Sequence, residues 1–378
     1  MNRRDLLVLS AALIGAPAAA IAQVAPGAAP LAAIPLLPSP VLPQRRPADL
    51  KVIAGLRPYR SGSYRLETEA IGQKYVVHNY GHGGGGITMS WGCAARVRDL
   101  VAAWPGAAAG LKVAVLGAGV MGMTAATLLH EVGYQVTIYA DKFTPHTTSD
   151  IAGGQWGPSF VAHADKADFE GLLKTAYGMH LAHGARFGVS QRDNYTLGTA
   201  DELAYAQMAG AAAPEILTKL PFAGITHGGM RYPTLLVEPP VLLPRLYADL
   251  RAAGVAFNTR KLSSPAEVDA LAEPVVVNCL GLGSRDVWPD LALRGIRGQL
   301  ALLPPQPRLN YLYSGIGYMF PRRDHLIIGG SFTRLQPGDE DATPDPDMAW
   351  MMIRVMNAVF EGLLPLPDWL TGRDQALA

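Results

Sequence analysis

The sequence predicts an α/β protein of two domains, and three observations carry that prediction. First, "KVAVLGAGVMGMTAATLLHEVGYQVTIYA" from Lys112 sets an apolar strand, a glycine turn, a helix and a second strand in succession, which is a βαβ unit. Second, "EPVVVNCLG" around Val275 is apolar without alternation, the pattern of a strand buried on both faces of a parallel sheet. Third, the chain has 378 residues, 49% apolar and 17% charged. That exceeds one small domain, fits about two and excludes disorder as a description of the whole.

The elements follow in chain order. "MNRRDLLVLSAALIGAPAAAIAQ" places Arg3 and Arg4 before an apolar run that ends in Ala20-Ile21-Ala22. Residues 1–22 therefore read as a signal peptide of the twin-arginine type, with export to the periplasm or medium and no stable membrane span after removal. Residues 23–50 are rich in Pro and Ala and read as an extended, mobile linker, with structure starting near Val52. "YRLETEAIGQKYVVHNY" reads as two strands around Gly72, and "CAARVRDLVAAW" as a helix stopped by Pro105-Gly106. "AAAGL" ties that helix to the strand Lys112–Leu116, followed by a helix from Met121 and a strand from Gln135. "LLPRLYADLRAAGVAF" reads as a helix leading into a strand, and "GYMFPRRDHLIIGGSF" as a hairpin turning near Arg323-Asp324. "DPDMAWMMIRVMNAVFEGL" reads as a helix opened by Asp345-Pro346. Its Met348, Met351, Met352 and Met356 fall at helical spacing and read as core.

The formal net charge is +1, with no basic stripe to neutralise phosphates, which argues against a nucleic-acid partner. Cys93 and Cys279 lack metal-ligand spacing and read as buried thiols, with a disulfide between them as the alternative.

The chemistry begins at Gly117, Gly119 and Gly122, which form G-A-G-V-M-G between strand and helix. The first glycine permits the tight turn, the second a close approach of backbone to a pyrophosphate, and the third close helix–strand packing. The helix N-terminus then faces the phosphates. Val120 and Met121 supply the first helical N–H groups, and Asp141 after the next strand suits a ribose hydroxyl. This much reads as a dinucleotide site and leaves FAD and NAD both open.

The continuation "YADKFTPHTTSDIAGGQW" resembles a segment of the D-amino-acid oxidase family. So do "HNYGHGGGGITMSWGCA" at 78–94, "GLRPYR" at 55–60, "VVVNCLG", "RGQ" at 297–299, and "GYMFPR" followed by "IIGGSF". These segments stand in the family's cyclic order but not its linear order. The resemblance therefore implies a circular permutation, with the family order running 112 to 378 and then about 52 to 104. It also implies the fold: a glutathione-reductase-type FAD domain and a mixed-sheet α+β substrate domain. The expected division is 76–155 and 241–290 for FAD, and 51–75, 156–240 and 291–378 for substrate.

The resemblance implies non-covalent FAD, held by the glycine loop, by Asp141, Lys142, Thr147, Thr148 and Ser149, and by Gly154 and Leu262. Gly83, Gly84, Gly86, Ile87 and Thr88 would hold the flavin ring. It implies that Arg57 forms a two-point salt bridge to a substrate carboxylate, that Tyr318 bonds the same carboxylate, and that the Gly84 carbonyl accepts from the amine. His78 and His82 then order the loop rather than bind metal.

The implied activity is oxidation of a D-amino acid, with oxygen or an electron carrier as acceptor. A dehydrogenase, an oxidase of secondary amines and a non-catalytic binding protein are the alternatives. The segment Gln299–Tyr318 is shorter than in the mammalian members, Ser314 falls where they carry a tyrosine, and Gln155 replaces an apolar residue. An acidic substrate would need a second cation, for which Arg231 and Arg322 are the candidates.

Overall fold

The computed structural model describes residues 34–197, 212–330 and 340–363. The expected signal segment, 1–22, lies outside the described residues. The strands in chain order are β1 (Lys51–Arg60), β2 (Arg65–Ile71), β3 (Lys74–Tyr80), β4 (Lys112–Leu116), β5 (Gln135–Ala140), β6 (Val189–Thr196) and β7 (Glu215–Leu217). They continue as β8 (Gly229–Val237), β9 (Ala256–Thr259), β10 (Val275–Asn278), β11 (Leu293–Leu303), β12 (Tyr311–Gly315), β13 (Gly317–Pro321) and β14 (Leu326–Gly329). The longer helices are α1 (Gly86–Ala102), α2 (Val120–Glu131), α3 (Lys166–His183), α4 (Pro239–Ala252) and α5 (Pro346–Phe360).

One sheet has six strands in the order β2-β3-β10-β4-β5-β9. All neighbours are parallel except the antiparallel edge strand β2. The apolar run at Val275 is central, as its composition requires. Val276 packs with Val76, Ala114 and Leu116 on one face, while Val275 and Val277 pack with Val113 and Val115 into the helical layer on the other. Burying a valine fully contributes roughly 1.5–3 kcal/mol, so this strand anchors the sheet.

Helix α1 begins seven residues before the expected "CAARVRDLVAAW", because "GITMSWG" is helical too. Gly92 inside it is a packing residue. A Cβ there would lie 2.2 Å from the Leu172 carbonyl oxygen, so the glycine lets α1 and α3 cross closely.

The second sheet has eight strands, β1-β11-β14-β13-β12-β6-β8-β7. One face, with Tyr195, Tyr311, Tyr313, Met319 and Ile328, packs on Met352, Ile353 and Met356 of α5. Of the methionine run, Met352 and Met356 are therefore core, while Met348 and Met351 are half-buried. Asp345 caps α5 by accepting from the N–H groups of Asp347 and Met348. The opposite face, with Leu300, Leu312, Phe320 and Ile327, turns toward the site. Strand β2 pairs with β3 in the six-stranded sheet, so the chain passes from one sheet to the other between Arg60 and Arg65.

Residues 34–50 are extended, as their prolines dictate, but they are held in place. Leu42 is buried among Tyr311, Ala349 and Phe360. Tyr311 Oη donates to the Pro38 carbonyl at 2.8 Å, Val41 N–H to Gln306 at 2.9 Å, and Asn357 Nδ2 to the Pro43 carbonyl at 2.9 Å. The expected mobility does not hold for this stretch. Its partners come from residues far along the chain, which composition cannot reveal.

Candidate active site

The glycine loop closes the C-terminal end of β4, between β10 and β5. Gly117 sits at φ 101, and a Cβ on it would lie 2.4 Å from the Cys279 carbonyl oxygen. A Cβ on Gly122 would lie 1.9 Å from the Gly117 carbonyl oxygen. Both positions accept only glycine, the first for the turn and the second for the helix–strand approach. Gly119 is the N-cap of α2 and offers no side chain to its free N–H groups. Ser149 reaches back instead, accepting from Val120 N–H at 3.0 Å. That hydroxyl marks the spot where an anion would meet the helix dipole.

The N-termini of α1 and α2 converge there. A Cβ on Gly86 would touch Val120 at 3.9 Å, and Thr124 Oγ1 donates to the Ser90 carbonyl at 3.2 Å. A dinucleotide pyrophosphate fits these two positive ends and the bare glycine backbone.

The other expected FAD residues are distributed around this loop. Asp141, Lys142 and Thr147 line a cavity of about 990 Å³ that also touches Val52, Ile53 and Pro344. Thr147 opens a helical turn, its hydroxyl and N–H both bonded to Asp150. Thr148 is exposed. Gly154 is at φ 115, where its carbonyl accepts from Val237 N–H at 2.7 Å. Met121 is half-buried against the core, and Ile87 is buried in it. Leu262 is buried with Leu116 and Tyr139, so its side chain packs the sheet. Thr88 is buried and doubly bonded to Gly157: its Oγ1 donates to the carbonyl and accepts from the N–H, each at 3.0 Å.

The substrate side is assembled from three elements. Arg57 lies on β1 opposite Ile296, and its Nη1 donates to the Arg297 carbonyl at 3.0 Å. Tyr318 lies on β13 opposite Gly329 and stacks on Phe320 at 4.6 Å. The Arg57 guanidinium lies beside the Tyr318 hydroxyl; burial pushes this phenol above its ordinary value, and the neighbouring positive charge only partly opposes that. The phenol is therefore a neutral donor at physiological pH.

Glycines floor both groups. A Cβ on Gly298 would meet Arg57 Cζ at 2.7 Å, and one on Gly329 would meet the Tyr318 ring at 2.1 Å. Gly84 completes the group, since a Cβ there would stand 3.3 Å from Arg57 Cδ. Arg57, Tyr318 and Gly84 are thus brought together, although Arg57 and Tyr318 lie 261 positions apart in the chain.

Sequence reasoning did not single out Gly298, Gly329, Ser159 or Phe160. The two glycines stood inside quoted motifs, "RGQ" and "IIGGSF", while the turn at 159–161 carried no signal of its own.

The histidines order the structure. Asn278 Nδ2 donates to His78 Nδ1 at 3.2 Å, which leaves His78 Nε2–H to donate to Glu69 at 3.1 Å. His82 Nε2 lies 3.5 Å from Cys93 Sγ and its ring stacks on Tyr64. Burial lowers His78 to about 4 and His82 to about 3. Both cysteines are free and buried, and burial pushes both thiols up, Cys279 to about 12.

The two candidate cations are committed elsewhere. Arg231 pairs in register with Tyr195, on the face away from Tyr318, and is bridged to Glu215 at 2.8 Å. Arg322 is buried, bonded twice to Asp324 and once to the Ala152 carbonyl. Near the site, Asn194 Nδ2 donates to Ser314 at 2.8 Å and Gln155 Nε2 to Tyr232 at 3.4 Å.

The protein-family model described as "DAO: FAD dependent oxidoreductase" matches residues 112–373. A D-amino-acid oxidase of Streptomyces coelicolor is 31% identical over 255 residues, covering 64% of this chain and 76% of that protein. Human D-aspartate oxidase is 31% identical over 257 residues, covering 62% and 72%. Among solved structures, an L-amino acid deaminase of Proteus vulgaris superposes with TM-score 0.45 at 16% identity, covering 69% and 77%.

Proposed function

Because the chain belongs to the DAO family of FAD-dependent oxidoreductases, we propose that it oxidises D-amino acids with neutral side chains at Cα. The products are an imino acid, which water converts to a keto acid and ammonia, and hydrogen peroxide from oxygen. The observation that carries this reading is the Arg57–Tyr318 pair, set on glycine floors beside Gly84.

Arg57 keeps most of its fork free after the bond to the Arg297 carbonyl, and a guanidinium fork matches two carboxylate oxygens. Tyr318, held neutral, donates to the same carboxylate. The Gly84 carbonyl accepts from the amine and so fixes which face of Cα is presented. Bound FAD supplies the acceptor for the hydrogen and two electrons that leave Cα. The protein's own contribution is orientation and a dry, prearranged set of donors. The commitment of Arg231 and Arg322 to other partners supports neutral rather than acidic side chains.

We also propose that the chain is a circular permutation of the family's order. The six-stranded sheet reads 3-2-1-4-5 from β9 to β3 when β4 is counted first, as in a dinucleotide-binding sheet. On that count β3 is fifth, although it precedes β4 in the chain. The family match begins at Lys112, where β4 begins. Residues 1–22 support a further proposal, export by the twin-arginine route. Secretion that persists after Arg3 and Arg4 are both changed to lysine would sink it.

The test of the central reading is the visible flavin spectrum of the purified protein without oxygen. D-alanine should bleach it, D-aspartate and L-alanine should not, and air should restore it. Bleaching that air does not reverse would replace oxygen by another acceptor. A bound flavin that no D-amino acid bleaches would overturn the reading.

A further inference from the structure

Phe160 presents its ring to the guanidinium of Arg57, with Cζ 5.2 Å from the ring centroid. Its backbone is unusual. At φ 52 it is the one non-glycine residue with positive φ among the described residues, and a bulky side chain there persists only where its surroundings over-determine it. The glycine loop after β3 does so. A Cβ on Gly83 would lie 1.8 Å from the Phe160 carbonyl oxygen, one on Gly84 2.6 Å from that of Ser159, and one on Gly85 2.5 Å from Val161 Cγ2. Gly83 and Gly84 thus leave no room for a side chain where the backbone of the turn 159–161 lies on this loop, and Gly85 packs closely on Val161. Thr88 clamps the start of the turn through Gly157. Yet the residue is 47% exposed, so burial of apolar area alone does not explain where it sits.

We propose that Phe160 is a positioning residue for the substrate carboxylate. Its ring covers the face of the Arg57 guanidinium, holds the plane of the fork and keeps water and salt away from it. The attraction of a cation to an aromatic face supplies the hold, and the lowered local dielectric strengthens every bond the fork makes. The backbone bond to Arg297 and the bare Gly298 limit the remaining freedom of the guanidinium. This inference rests on reading Arg57 as the carboxylate site.

The experiment compares Phe160→Gly, Phe160→Leu and Phe160→Tyr in the FAD-loaded protein, with D-alanine as substrate and propionate as an unreactive carboxylate. Phe160→Gly removes the ring and relieves the positive φ together. Its melting temperature should hold or rise, while the KM for D-alanine and the Kd for propionate rise about fivefold, the worth of one such contact. Its kcat should stay within about twofold, and its KM should climb more steeply with added salt. Phe160→Leu should show the same loss, since it keeps bulk but has no aromatic face, and Phe160→Tyr should restore the parent values.

A Phe160→Gly or Phe160→Leu protein with parental KM and salt dependence would overturn the proposal. If Phe160→Gly loses FAD, the Leu and Tyr variants decide alone. An Arg57→Ala variant with parental KM would instead show that the carboxylate site itself is misassigned.

Discussion

Arg57 is useful only as long as nothing displaces it, and the residue that guards its position is a glycine. A Cβ at position 298 would fall 2.7 Å from Cζ and no farther than 3.0 Å from either terminal nitrogen. Gly298→Ala must therefore push the fork off its floor. The strand can absorb an alanine, because Gly298 lies at an ordinary extended φ and pairs in regular register with Gly55. The expected outcome is a rise in KM for D-alanine of about tenfold or more, the cost of misaligning one charge-assisted bond, with a melting temperature close to the parent's. A KM within about twofold would mean that the guanidinium does not need this floor. The sequence displayed Gly298 inside "RGQ" but could not show which side chain would rest on it, because that contact joins β1 to β11 across 241 positions.

At the scale of elements, three buried histidines pin strands and helices to one another, and together they make the fold sensitive to acid. His78 ties β3 to β2 through Glu69 and to β10 through Asn278. His180 on α3 reaches the Ile87 carbonyl on α1 at 3.0 Å. Burial lowers His78 and His180 to about 4 and His82 to about 3, against roughly 6.5 in an unfolded chain. The folded values are depressed, so the unfolded state takes up protons first as pH falls. Stability is therefore full above pH ~6.5 and is lost on descent toward ~4, by up to about 1.4 kcal/mol per pH unit for each histidine. The melting temperature should fall clearly from pH 7 to pH 5, and His180→Gln, which can still donate to Ile87, should flatten that slope. A melting temperature unchanged over this range would refute the account.

The elements also differ in how far they could be read. The βαβ unit and β10 were legible because turn chemistry and burial on both faces write themselves into adjacent residues. Strand β1 was not, because it is a half-buried edge strand with Pro58 inside it. Residues 34–50 were misread as mobile because their anchors, Gln306, Tyr311 and Asn357, come from the far end of the chain.

The whole molecule raises the question of why this order of segments folds at all. Sheet assembly depends on which strands are neighbours, not on which is synthesised first. The β3–α1 segment is covalently tied to β4 through residues 103–111, yet it is separated from β4 in the sheet by β10. The tie is a turn-rich surface stretch, pinned by Gly110 N–H to the Gly133 carbonyl at 3.2 Å and by Leu111 N–H to the Ala108 carbonyl at 3.0 Å. Such exposed connections can be opened when the packed elements on both sides keep their contacts. A chain that starts at Lys112, runs to Ala378, and continues through a flexible Gly/Ser linker of about 15 residues into residues 34–110 should therefore fold. It should bind FAD with the parental spectrum and turn over D-alanine at a comparable rate, because Arg57, Tyr318, Gly84 and the glycine loop keep their neighbours. A rearranged chain that stays soluble but cannot hold FAD would show that the tie at 103–111 does more than connect, and would count against circular permutation as the origin of this order.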